Sequence, residues 1–339
     1  MKFVLLIICL FFVRVLPAQK PVTIECRIGE GIGKIMQLSG VNNGQQKILA
    51  SASYAQNGYY GFRFIPEYEG FYVLGDGKNH EYPLYLKAGD AVSLFMDKDT
   101  IYLTGKNNTA ENKVLYDWVN LSKRVCEKSI FFTRSRSTYE DFFPEFEVLL
   151  SKIKPFCKNI ETKNSRFNEL MKHFISYELD RFALNFIYTP RSKHPSKEQR
   201  IAYYNSIVDN NKFQDEVILE MPDGIKLLKL YMMFYCLENK KNASDLQESL
   251  AVIPNRKLQG TLVVEQAKGF GRSYFEYMEF MEKAKKYVDA DQLKILEDKA
   301  SELYEAKKGE RAIDFTCPDA NGKMHSLSDY KGKVVVVDV

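Results

Sequence analysis

The hydrophobic pattern of this chain changes period near Gly105, and that change constrains the fold more than any other feature. From Val22 to Gly105, apolar and aromatic residues come in short runs: Thr23–Arg27, Lys47–Tyr54, Tyr59–Ile65, Gly70–Leu74, Pro83–Lys87, Ala91–Met96 and Ile101–Thr104. They are rich in β-branched and aromatic residues, which suit a pleated, half-buried surface. Turn residues separate them at Asn42-Asn43-Gly44, Asn57-Gly58, Gly75-Asp76-Gly77 and Gly89-Asp90. Asn57-Gly58, set between two aromatic runs, has the pattern of a tight hairpin because both residues tolerate positive φ. Short strands this closely spaced predict a small sandwich or a partly open barrel.

From Asn108 to Lys308 the spacing becomes helical. Val114, Leu115, Trp118, Leu121 and Val125 recur every three or four residues, as one buried helix face requires. Ile225–Leu237 is apolar almost all round and reads as a deeply buried helix. Asp289 or Asp291 is placed to cap a helix carrying Leu293, Leu296, Ala300 and Leu303. Breaks fall near Thr189–Pro195, at Pro222-Asp223-Gly224 and around Ile253–Asn255.

Charge narrows the function classes. Forty-eight basic and 44 acidic side chains leave a net charge of +4, with no dense Lys/Arg block, so a nucleic-acid footprint is absent. At the N-terminus, Lys2 precedes the apolar run Phe3–Val13, and Leu16-Pro17-Ala18 offers a cut before Gln19. That order is the pattern of a secretory signal peptide, residues 1–18. The rival reading is a membrane anchor, for which the run is short and is broken by Arg14. Export with cleavage is the expectation, with no transmembrane span afterwards and a periplasmic or envelope location. Cleavage would leave Cys26, Cys126, Cys157, Cys236 and Cys317, too widely spaced for a disulfide framework or a zinc site.

Beyond Gly309 a third pattern begins. Asn321-Gly322 reads as a hairpin turn, Ser326 or Ser328 as a helix cap, and Val334–Val339 as a strand covered on both faces. Within it, Asp314-Phe315-Thr316, Pro318-Asp319-Ala320-Asn321-Gly322, Leu327-Ser328-Asp329-Tyr330 and Lys331-Gly332-Lys333-Val334-Val335 closely match the opening of a known domain. Ala312–Val339 thus resembles the start of the thioredoxin-like domain of envelope thiol-disulfide oxidoreductases, of the peroxiredoxin-related kind. More loosely, Asn57-Gly58, Gly70-Phe71-Tyr72 and Lys87-Ala88-Gly89-Asp90 resemble the β-rich N-terminal domain of the same group. The sequence departs from the family pattern at Ile313, where Pro is usual, and at Cys317, where an apolar residue is usual.

The resemblance implies an α+β chain in three parts after residues 1–18: an antiparallel β domain over 19–107, a helical region over 108–308, and the truncated start of a thioredoxin-like α/β domain over 309–339. In the family, the strand matching Val334–Val339 leads into a helix opened by the reactive cysteines. The sequence ends before that point, so the expectation is a catalytically incomplete member of a redox family, or a non-catalytic binding protein, or a truncated product without function. Envelope proteins are the expected partners, and no cofactor or metal is expected.

No residue is assigned a catalytic role. Cys317 precedes the strand that would lead to the reactive site, and Asp319 beside it disfavours a thiolate. Asp338 matches a family Asp that would serve a thiol this sequence lacks. His80, His173, His194 and His325 are scattered, with no ligand partner at helical spacing. Gly29, Gly31 and Gly33 superficially resemble a phosphate loop, but no strand–helix unit surrounds them, so a turn cluster is expected. Tyr54, Tyr59, Tyr60, Phe62, Phe64, Tyr68, Phe71 and Tyr72 could line a cleft, yet their alternation also suits a core face, the favoured reading.

Overall fold

Alternation in β1 (Val22–Ile28) sends Val22, Ile24 and Cys26 inward, where all three are buried. Seven further strands follow: β2 (Ile35–Asn42), β3 (Gln45–Ser53), β4 (Tyr59–Phe64), β5 (Gly70–Gly75), β6 (Glu81–Leu86), β7 (Ala91–Met96) and β8 (Ile101–Leu103). The structure is a computed structural model that describes residues 20–53, 58–77, 80–131, 136–208, 212–271, 273–304, 312 and 314–336. Two four-stranded sheets form, ordered β4-β1-β7-β8 and β3-β2-β5-β6. Their inner faces share one apolar core, in which Ile24, Met36, Phe62, Leu74, Leu84 and Leu94 meet. The result is a sandwich. Its pairings are antiparallel, except that β1 and β7 run parallel.

The tight hairpin lies at Asn43-Gly44, not at Asn57-Gly58. Asn42 pairs with Gln45, and Asn43 and Gly44 take φ of 48° and 73°, as a two-residue turn of that hand demands. β3 and β4 lie in different sheets, so no hairpin joins them, and Asn57 itself lies outside the described residues.

Helices follow: α1 (Ala110–Ser129), α2 (Tyr139–Lys158), α3 (Ser165–Tyr188), α4 (Tyr203–Ile207), α5 (Gly224–Glu238), α6 (Leu246–Leu250), α7 (Arg256–Lys268), α8 (Tyr274–Ala284) and α9 (Ala290–Leu303). Chain contacts divide the molecule into two compact units, one up to Leu262 and one from Val263 onward. In the first, the outer face of the second sheet is covered by α3. Phe71 stacks on Phe174 at 4.9 Å, and Tyr85 meets Phe167 edge-on at 4.9 Å. That is why β5 is buried along its whole length while β1 alternates.

Two asparagines join sheet and helix. The Asn112 side chain accepts from the Tyr85 N–H at 2.9 Å and donates to the Tyr85 carbonyl at 2.8 Å. Asn108 treats Ser93 alike, accepting from its N–H and donating to its carbonyl, each at 3.0 Å. Each amide imitates a strand's backbone; Asn112 thereby closes part of the β6 edge. The Asn43-Gly44 turn docks as well: Gly44 N–H donates to the Leu219 carbonyl at 2.7 Å and its carbonyl accepts from Ile225 N–H at 3.0 Å. Farther along, Arg191 donates to the Phe186, Ser137 and Ser129 carbonyls and lies 3.8 Å from the Phe186 ring centroid.

In the second unit Asp289 is the cap of α9, closing a capping box with Gln292, and the Tyr277 hydroxyl donates to the Leu296 carbonyl at 2.8 Å. β9 (Thr316–Pro318) and β10 (Met324–Ser326) form the expected hairpin, and Ser326 caps a single 3₁₀ turn, Leu327–Tyr330. The strand expected over Val334–Val339 does not form in its described part. Val334 is 96% exposed and Val336 87%, with no strand assigned to either. β-branching favours a strand through packing on neighbours, and none lies beside them among the described residues. Val337, Asp338 and Val339 lie outside the described residues, as do residues 1–19.

Candidate functional site

One face of α1 and its C-cap is polar and apolar by turns: Tyr116, Val119, Asn120, Lys123, Cys126, Glu127 and Ile130 follow one another at steps of one and three. That face looks onto two adjoining cavities of the first unit, of about 260 Å³ and about 290 Å³, which share Glu81, Val119, Cys126 and Phe131. The smaller is closed by Val73 and Pro83 from the sandwich, Phe174 and Tyr177 from α3, and Met221–Gly224 at the start of α5. Its lining is mainly apolar and aromatic with a few polar groups, the usual make-up of a small-molecule site.

An ion network forms one wall. Arg181 bonds Glu178 at 2.6 Å and Asp223 at 3.3 Å, and Lys226 bonds Asp223 at 2.7 Å. Burial raises the Glu178 carboxyl above its ordinary range, and Arg181 offsets this only in part. Burial also acts to raise Asp223, but Arg181 and then Lys226 outweigh it and hold that carboxyl low. Two cations thus face two carboxylates, and the wall carries no net charge. Burial pushes the Cys126 thiol up to about 12 despite the pull of Arg181, which keeps it protonated and poorly nucleophilic.

Trp118 stands apart from this ion network. It is 1% exposed, it lines the smaller cavity, and its Nε1 has no hydrogen-bond partner among the described residues. A buried N–H without an acceptor costs about 1–3 kcal/mol, a cost that a ligand carrying an acceptor would remove.

The residues weighed from the sequence lie elsewhere. Cys317 is exposed on β9, in register with His325 on β10. The two ring nitrogens of His325 are engaged, Nε2 with Asp319 at 3.2 Å and Nδ1 with the Tyr330 hydroxyl at 2.9 Å. His325 is therefore not placed to take a proton from Cys317. His80 is held by Asp76 at 2.8 Å, and His194 Nε2 accepts from Arg191 N–H at 3.2 Å in a loop. No group of three or more metal-ligating side chains occurs among the described residues. Gly29 and Glu30 bond Met96 and Lys98, so the glycine cluster is a turn packed on the β7–β8 turn. Of the aromatic set, Tyr60, Phe62, Phe71 and Tyr72 are core residues, Tyr59 is exposed, and Tyr54 lies outside the described residues.

The cavity itself was not read from the sequence, although two signals were present. Asp180, Arg181 and Asn185 interrupt the otherwise apolar stretch from Leu179 to Ile187, and Glu178 lies three residues before Arg181. Val119, Cys126 and Ile130 form a second stripe on α1 beside the one containing Trp118. No family model, curated protein or solved structure matches this chain. No helix among the described residues is long and apolar enough to cross a membrane.

Proposed function

We propose that this chain is an exported relative of the envelope thioredoxin-like thiol-disulfide oxidoreductases, and that its first unit binds a small ligand in the α1 cavity. The observation that carries the binding reading is the buried Trp118 Nε1, without a hydrogen-bond partner among the described residues, in a largely apolar lining. It selects a ligand with an apolar body and one hydrogen-bond acceptor. Family membership and an envelope location rest on the residue blocks of Ala312–Val339 and on the charged and apolar pattern of the N-terminus. Envelope proteins are the partners this location would offer.

Trp118 is the only tryptophan in the chain, so its emission reports on the cavity alone. Titration with anilinonaphthalene sulfonate, an apolar anion rich in acceptors, is expected to quench that emission saturably. Val119→Phe, which fills the space shared by the two cavities, is expected to abolish the effect. A linear response, equal in both proteins, sinks the binding reading. For the redox half, Cys317 is exposed but His325 has both ring nitrogens engaged, so insulin reduction by dithiothreitol is expected to run no faster than with Cys317→Ser; a clear excess would place redox chemistry at Cys317.

A further inference from the structure

On the outer face of the β4-β1-β7-β8 sheet, strand register builds a second site, remote in character from the α1 cavity. Tyr59 pairs with Arg27, Arg27 with Phe95, and Phe95 with Tyr102, so these four side chains form one row across all four strands. Two residues along, Glu25 faces Gly61 on one side and Ser93 on the other, and Thr104 N–H bonds the Ser93 carbonyl at 2.7 Å. The first row is tall and aromatic. The Arg27 guanidinium lies 5.9 Å from the Tyr59 centroid, and the Phe95 and Tyr102 rings stack at 4.9 Å. The second row is short and polar, with no side chain at all at Gly61. A tall row beside a low one makes a transverse groove of about 330 Å³, with an aromatic wall and a hydroxyl- and carboxylate-bearing floor. Tyr59 and Tyr102 remain 44% and 43% exposed, so the wall is open to a ligand.

The composition selects among occupants. Glu25 and Arg27 are the only strongly charged side chains in the lining and cancel, which disfavours a polyanion. The floor strands β1 and β7 are paired on both sides, so the groove floor offers no strand edge to an extended peptide. The floor is polar, which disfavours the apolar face of a helix. What remains is a flat, neutral ring with one apolar face and a rim of hydroxyls. We propose that this groove binds a neutral oligosaccharide. A pyranose ring lays its C–H face on the Tyr59–Tyr102 row, and its hydroxyls bond Glu25, Ser93, Thr104 and the free donors of Arg27.

The test is calorimetric titration of the full chain with cellohexaose, maltohexaose and the N-acetylglucosamine hexamer, each to about 10 mM. At least one is expected to bind with a Kd below about 1 mM. Tyr102→Ala removes part of the wall. Gly61→Val raises the end of the floor row beside Glu25, and a Cβ there meets nothing closer than the Ile24 carbonyl at 3.9 Å. Each is expected to weaken binding at least about tenfold. Val148→Ser, an exposed change on α2, is expected to leave it unaltered. Gly61→Val carries the test if Tyr102→Ala fails to fold. No binding of any of the three hexaoses by the wild-type chain overturns the proposal, as does binding that survives the raised floor.

Discussion

Replacing Asn112 by Ala tests how the sandwich is held to the helices. The side chain is fully buried and makes two bonds to one residue, accepting from Tyr85 N–H at 2.9 Å and donating to Tyr85 carbonyl at 2.8 Å. It also donates to the Thr109 hydroxyl at 3.0 Å. Alanine leaves a backbone donor and acceptor without these partners at a covered sheet edge, at about 1–3 kcal/mol each. Partial relaxation, or a water entering the space, would recover some of this, so the expected loss is about 2–4 kcal/mol. For a unit of this size that lowers Tm by roughly 4–16 °C. Urea unfolding followed by far-UV circular dichroism measures the loss directly. Asn112→Asp sharpens the reasoning, because it keeps an acceptor for the N–H and turns a second acceptor on the carbonyl. Burial raises the pKa of that introduced carboxyl above its unfolded value, so the stability its protonated form contributes is fully present only below the unfolded pKa, near 4, and is lost as pH rises through the folded one. The aspartate variant should therefore approach wild type on acidification, whereas the alanine variant should not. Asn120→Ala, an exposed amide on the same helix, is the control, with an expected change under about 0.5 kcal/mol. If Asn112→Ala unfolds within that same margin of wild type, the amide is not closing the strand edge and the argument fails.

Other expectations follow from the same structure. Gly224→Ala should cost more than about 3 kcal/mol in urea melts or abolish soluble expression, because a Cβ there would lie 2.0 Å from the Ile218 carbonyl oxygen. Arg191→Lys should cost about 1–3 kcal/mol, since an ammonium cannot reproduce the fork that meets three carbonyls, and a melt equal to wild type would refute that. Asp223 is held below its ordinary pKa, so it contributes stability above the unfolded value, near 4, that is lost as pH falls through the folded one. The stability gap between wild type and Asp223→Asn should accordingly narrow between about pH 5 and pH 2, and a constant gap in urea melts across that window would contradict it. In native labelling with a disulfide reagent at pH 8, the exposed Cys317 should give the fast phase and Cys317→Ser should remove it, while buried Cys26 and Cys236 wait for unfolding.

The sequence revealed elements better than their assembly. Ala91–Met96 is a strand with the bounds read from its alternation, because Val92, Leu94 and Met96 all turn to one core. β2 was missed. Within it Ser39 and Gly40 break the apolar alternation after Met36 and Leu38, and its place between β3 and β5 comes from pairing rather than composition. Asn57-Gly58 and Asn43-Gly44 are equivalent as dipeptides; which one makes a hairpin depends on which strands share a sheet, and local chemistry does not encode that. The cap of α9 was legible because Asp289 and Gln292 are three residues apart, whereas Asn112 gave no signal because its partner is 27 residues away. The α1 cavity was hidden for the same reason. Glu178 and Arg181 are neighbours in sequence, but Asp223 and Glu81 reach the site only through the tertiary fold.

The Asn43-Gly44 turn bonds both Leu219 and Ile225, some 180 residues downstream. Its two hydrogen bonds therefore form only after a very long loop has closed, late on any folding route. On a ribosome, the sandwich emerges with its turn undocked and with Phe71 and Tyr85 uncovered, and it must wait for α3 and α5 before either is sheltered. The segment is thus open to chaperones during synthesis for the time needed to make about 180 more residues, roughly 10–40 s at cellular elongation rates.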